Sequence, residues 1–218
     1  MKLCDFESAL GRAICEQQQP LETSVVQLPA LERERLEQLL SSAGVAFTRI
    51  VQRSWCESRI KLLARHSLGE LPPEQCSALV SAWVDRGGGR NAFGGEEAIE
   101  FLKFLSPHLP SDSASSYWCR VELATFRAYM GSLEFVPPAS PCERTMLIVR
   151  NESASLVSTS QAALFFAPGL PELVREATPL ERELWMDLEL ARRVNVFPDA
   201  ALTSLNSMLS VGILASTE

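Results

Sequence analysis

Histidine is scarce in this chain: among 218 residues only His66 and His108 occur. A zinc or iron site needs several convergent ligands. Neither histidine belongs to an H-E-x-x-H pattern or lies beside paired cysteines, so no metal bound by this chain alone is expected. The cysteines are Cys4, Cys15, Cys56, Cys76, Cys119 and Cys142, and none forms a C-x-x-C pair. They fall singly in apolar helical stretches or near loops, where a thiol behaves as a small hydrophobe. A G-x-S-x-G elbow and a G-K-[ST] phosphate loop are both missing, which removes the commonest local signals of a nucleophile or a nucleotide. Triads assemble in space and stay open, but no catalytic residue is nominated. No stretch approaches the roughly 20 apolar residues that span a bilayer. The opening MKLCDFESAL lacks a secretory core and carries Asp5 and Glu7. A cytoplasmic setting with reduced thiols and no membrane partner is the expectation.

Positive charge is also in short supply. The net charge is −7 and the pI about 5.0, whereas tight non-specific DNA binding needs several Lys or Arg facing phosphates. The mildly basic places, Arg59–Lys61–Arg65 and Arg86–Arg90, read as solvated faces. Nucleic acid is not the expected partner. The paired carboxylates Glu96–Glu97 near a helix start need only the helix dipole to explain them.

What remains is an ordinary globular composition, 46% hydrophobic and 22% charged. The first part reads as helices. Residues 5–17 carry Phe6, Leu10, Ala13 and Ile14 at helical spacing. Residues 29–43 place Leu31, Leu36, Leu39 and Leu40 on one side, with Gly44 as the stop. Residues 45–66 present Phe47, Ile50, Val51, Trp55, Ile60, Leu62 and Leu63 as an apolar set. A helix from Pro72–Pro73 to Val84 follows, then the Gly-rich loop 85–97, a helix over 96–105, and a long one over 112–131. Stripes Trp118–Val121–Thr125–Tyr129 and Cys119–Leu123–Phe126–Met130 make that last helix central to its bundle. The proline-rich stretch 132–143 reads as a linker.

Beyond it the period falls to two. Residues 144–150, 154–160, 162–168 and 171–177 are apolar, β-branched and aromatic, and read as strands. Thr178 and Glu181 have capping-box spacing at the start of a helix running to about residue 193. A last helix covers 198–214. The fold class is α+β: a helical bundle domain over 1–131, a linker over 132–143, and an α+β peptide-binding domain over 144–218. That C-terminal outline, a small antiparallel sheet with C-terminal helices, is winged-helix-like and like a leader-peptide-recognition module. A small sheet has open edges, to which an extended peptide can add as a further strand. Phe165–Phe166 leaves two readings open: one ring projects towards a peptide, or the strand is buried on both faces.

Two stretches carry a resemblance. The block EAIEFLKFLSPHL with YWCRVELATFRAY resembles a bacterial family first described as DNA-binding, through Phe101, Phe104, Leu105, Arg120, Val121, Glu122, Ala124, Arg127 and Tyr129; Leu123 stands where that family has tryptophan. The block ALFFAPGLPELVREATPLERELW is similar to the MbnC family of methanobactin biosynthesis proteins, as are the length and two-part layout. The resemblance implies a non-catalytic accessory subunit working with an MbnB-like TIM-barrel iron oxygenase on a ribosomally made, MbnA-like precursor peptide. Peptide cysteines would become oxazolone and thioamide groups, and the iron would belong to the barrel. On this sequence the leader would pair along 144–150, 154–160 or 162–168, meeting Leu156, Leu164, Phe165 and Phe166, with Arg150 and Arg175 facing its acidic side chains. Arg90, Phe93, Trp118, Arg120 and Arg127 would face the oxygenase. The alternative is a winged-helix-type DNA-binding transcription regulator. Against it, the last helix contains no Lys or Arg to offer to bases and phosphates.

Overall fold

A computed structural model describes residues 29–89, 93–159 and 162–217. The chain is mixed α+β and divides into two compact units, residues 1–105 and 106–218. The helix expected over 5–17 lies outside the described residues.

The described part of the first unit is helical: α1 (Ala30–Leu40), α2 (Ala43–Leu63), α3 (Arg65–Gly69), α4 (Pro73–Asp85) and α5 (Gly95–Leu105). Gly44 does not stop α1. Ser42 breaks the chain instead, its hydroxyl accepting from the Val45 amide to start α2. Pro73 occupies the first turn of α4, where its missing N–H costs nothing. α2 packs on α4 and α5 around Ile60, Val80, Trp83, Phe101 and Leu105, all buried. The Trp83 and Phe101 rings meet edge-on at 5.3 Å. Phe101 is fully buried, a gain of about 2–3 kcal/mol by removal from water. The apolar sets expected for the first two helices fare differently. Leu36 and Ile60 are buried, but Leu31, Leu39, Phe47, Ile50, Val51, Trp55 and Leu62 are exposed.

The second unit contains α6 (Ala114–Ser132), β1 (Leu147–Arg150), β2 (Ser155–Ser158), β3 (Ala163–Phe166), β4 (Val174–Glu176), α7 (Pro179–Asp187), β5 (Arg192–Arg193), α8 (Leu202–Ser210) and β6 (Leu214–Thr217). The helix expected to be central to an N-terminal bundle is thus α6, and it packs on a sheet instead. Its inward side is Tyr117, Val121, Ala124 and Ala128, against Val157, Leu164 and Phe166. Tyr129, assigned to an inner stripe, is half exposed. The expected linker 132–143 is built into this unit. Phe135 lies where a Cβ on Gly169 or Gly212 would stand, and the Cys142 amide donates to Asn206 Oδ1.

The strands form two antiparallel three-stranded sheets, β5–β1–β6 and β2–β3–β4, rather than one. β1 does not pair with β2. An Asx turn at Asn151, whose Oδ1 accepts from the Ser153 amide, sends the chain from one sheet to the other. The last helix ends early as well. Gly212 takes a left-handed φ of +70°, open to glycine without strain, and residues 214–217 return as β6 beside β1. One core joins these elements, with Ile148, Phe165, Leu184, Trp185, Leu205 and Met208 among its buried members.

Candidate functional site

In β2–β3–β4 the outer strands are β2 and β4, and β3 is paired on both sides. The hydrogen-bond phase fixes which groups of β2 face outward. The Thr159 amide donates to the Ala162 carbonyl across the hairpin, and the Ala177 amide donates to Ala163 O on the other side of β3. Because bonding alternates along an antiparallel pair, residues 155, 157 and 159 bond to β3. The N–H and C=O groups of Leu156 and Ser158 therefore point away from the sheet. Among the described residues no strand pairs with that edge. It is a row of backbone donors and acceptors on a strand whose one face, through Val157, is held by α6, and whose other face, through Leu156, rests on the main core. The β4 edge is shorter, Val174–Glu176.

The nominated peptide contacts divide on this geometry. Leu156 lies on the open edge and is half-buried. Leu164, Phe165 and Phe166 sit on the middle strand, to which no further strand can add. Phe165 and Phe166 are both buried, one towards Trp185 with rings 5.4 Å apart, the other against α6. The strand is thus covered on both faces, and neither ring projects to a ligand. The segment 144–150 is excluded as a docking strand for the same reason, since β1 is the middle of its sheet.

Both arginines expected to meet the peptide are engaged inside the unit. Arg150 donates from Nε to the Trp185 carbonyl at 2.8 Å and from Nη2 to that of Met186 at 3.3 Å, with its guanidinium 4.9 Å from the Trp185 ring centre. It adds a donor to the carbonyls at the end of α7, where the Trp185 carbonyl also accepts from the Leu188 amide. Arg175 makes a two-pronged pair with Glu181, at 2.9 and 2.6 Å. Thr178 and Glu181 form the expected capping box. Burial pushes the Glu181 carboxyl up, but the bonds from Arg175 and Thr178 outweigh it and hold it below its usual range.

Of the nominated partner contacts, Arg90 lies outside the described residues. Phe93 is exposed, with the Arg59 guanidinium 4.5 Å above its ring. Trp118, Arg120 and Arg127 are on α6 of the second unit. Arg120 and Arg127 flank one side of its sheet-facing stripe, and Trp118 the other, by helical spacing. The four described residues therefore do not form one contiguous face of a single element.

Sequence reasoning missed two features. Ser158 shares the open edge with Leu156; its only signal is the short spacing between the strand readings 154–160 and 162–168, which favours pairing β2 with β3, and the outer position of β2 comes from the strand order. Glu97, read as a dipole partner, is fully buried. Arg59 donates to it from Nε at 3.0 Å and Nη2 at 2.8 Å, and the Cys56 thiol reaches it at 3.7 Å. Its signal was its position one turn ahead of Phe101 on the inner stripe of α5. This cluster pins Gly88 and Gly89, so the start of the Gly-rich loop is anchored.

Among the described residues, no group of three or more His, Cys, Asp and Glu side chains is placed to hold a metal ion, and no helix is long and apolar enough to cross a membrane. The fold is α+β, and among the described residues the outer side of β2 has no paired strand. No protein-family model matches this chain, and no curated protein matches it.

Proposed function

We propose that this chain is a non-catalytic accessory subunit of the MbnC kind, acting in the cytoplasm. It binds the leader of a ribosomally made precursor peptide and presents the peptide's cysteines to an MbnB-like TIM-barrel iron oxygenase for conversion to oxazolone and thioamide. The observation that carries the reading is the open edge of β2, where the main-chain groups of Leu156 and Ser158 face away from β3. Main-chain pairing supplies affinity for an extended peptide with little demand on its sequence, and α6 behind β2 keeps the edge rigid. The chemistry of this reading comes from the resemblance to the MbnC family alone, and on it the iron would lie in the other subunit.

The test is co-expression of the tagged chain with an MbnB-like oxygenase and its precursor peptide. The oxygenase is expected to co-purify with all the iron, and isotope-edited spectra of the bound leader should show it extended alongside β2. Recovery of this chain as a monomer indifferent to both partners would refute the proposal. Salt-dependent, sequence-selective DNA binding by the purified chain would replace it with the regulator reading.

A further inference from the structure

Helix α6 lies over the outer strand β2 more than over the middle strand β3, and Gly131 shows which of its sides looks out past β2. A Cβ on Gly131 would stand 2.5 Å from the Ser153 Cβ, just before β2, and 3.5 Å from that of Pro168, just after β3. The row of α6 that ends at Gly131 therefore runs along the β2 side. Arg127 and Arg120 lie earlier on that row at helical spacing. Handedness gives the same side. α6 runs opposite to β2, because its last turn meets the residue that leads into the strand. Val157 faces α6 and bonds to β3. A right-handed helix placed so over a strand of L-residues turns positions 120 and 127 towards the unpaired edge. Arg120 is exposed and Arg127 half-buried. Among the described residues neither forms an ion pair, whereas Arg53, Arg59, Arg144 and Arg175 are each paired with a carboxylate inside their own unit.

We propose that Arg120 and Arg127 read acidic side chains on the segment that adds to β2. The inference rests on the docking reading above and moves these two residues from the oxygenase to the peptide, in the place of Arg150 and Arg175. An added strand lies about 4.8 Å beyond β2, and every second side chain of it faces the helix. The two arginines are about 10 Å apart along α6. Same-face residues of a strand are about 7 Å apart at a spacing of two and about 14 Å at a spacing of four, and a long arginine stem spans the difference. Main-chain pairing alone leaves the register of an added strand weakly specified. Two Asp or Glu side chains on the face towards α6 fix it, since a chain of net charge −7 attracts carboxylates only where cations are local.

The test uses short synthetic peptides of one extended, threonine-rich sequence, carrying two Glu, two Gln or two Lys at same-face positions four apart, and binding to the full chain is measured by fluorescence anisotropy. The Glu peptide should bind about tenfold tighter than the Gln peptide and the Lys peptide more weakly than either, with the differences shrinking in high salt. Arg120→Gln with Arg127→Gln should erase the Glu preference and leave the affinity for the Gln peptide and the Tm unchanged. Arg120→Glu with Arg127→Glu should reverse the order, and Arg120→Lys with Arg127→Lys should keep it. Ser158→Pro should weaken all three peptides. Equal binding of the Glu and Gln peptides, still sensitive to Ser158→Pro, would overturn the charge inference and leave the docking edge standing. No binding of any peptide, or binding of the Glu peptide that survives Ser158→Pro, would overturn the docking reading and this inference with it. Binding of a duplex DNA probe that is lost in Arg120→Gln with Arg127→Gln would overturn it in favour of the regulator.

Discussion

Arg175 of β4 grips Glu181 of α7 through both guanidinium nitrogens, Nη1 to Oε2 at 2.9 Å and Nη2 to Oε1 at 2.6 Å. The same carboxylate accepts from the Thr178 amide and hydroxyl, each at 3.0 Å. One nearly buried side chain therefore ties the outer strand of a sheet to the first turn of the next helix. The Arg175 guanidinium also lies 5.7 Å from the Phe165 ring centre, so the pair is part of the packing above the core.

Replacing Glu181 with Gln should cost about 2 kcal/mol, since it leaves a partly buried guanidinium without its charge partner. The pH dependence follows from the depressed carboxyl. The unfolded chain titrates this group near 4.3 and the folded chain lower. Its stabilisation is complete above the unfolded value and disappears as pH falls through the folded one. Denaturant melts of the two proteins should therefore differ by a constant amount near neutrality and converge progressively below about pH 4.3. A difference that grew on acidification would contradict the assigned role.

Cys56 is the counterpart in the helical unit. Burial first, and then the Glu97 carboxylate, push its thiol up to about 11. It should alkylate very slowly at pH 8 in the native state and readily in denaturant. Gly89 beside it has a φ of +72°, and a Cβ there would stand 2.4 Å from Cys56 Sγ and 2.7 Å from Glu97 Oε1. Gly89→Ala should cost about 2 kcal/mol or more, from left-handed strain plus the clash. Removing the sulfur with Cys56→Ala in that background should recover part of the loss in a thermal melt. Strict additivity of the two substitutions would mean that Gly89 and Cys56 do not press on one another.

The legible parts of the sequence were those with a local cause. The capping box at Thr178 and Glu181, the proline at the head of α4 and the strand composition of β1 to β4 each follow from a few adjacent residues, and each is present. What the sequence left ambiguous was pairing. β1 has the composition of a meander strand, but its partners are residues 192–193 and 214–217, more than forty positions away, and both touch stretches that read as helix: α7 stops at Asp187 instead of reaching 193, and Ile213 continues the stripe of α8. α6 was placed with the wrong neighbours for the same reason. Its apolar sides are legible, but what each side meets is a long-range fact. Charged residues misled most. Arg150 and Arg175 look like exposed strand positions, yet each closes a bond to α7 that no spacing reveals.

The hydrogen-bond phase of β2 gives a sharp test of the docking edge. The Leu164 N–H lies on the β2 side of the middle strand, so Leu164→Pro removes a ladder bond inside a sheet covered on both faces. That variant should lose the cooperative melt of the second unit and says nothing about binding. Ser158→Pro is different. The Ser158 N–H points outward, the side chain is exposed, and Val157 before it is already extended, the conformation a following proline requires. The Tm should stay within a few degrees. Affinity for a leader peptide should fall at least tenfold, because one main-chain bond is gone and the ring stands where the incoming strand must lie. Ser158→Ala, which keeps the N–H, should bind as the unaltered chain does. If Ser158→Pro binds as well as Ser158→Ala, the peptide does not use β2, and the short β4 edge or the outer edge of β6 becomes the strand to probe.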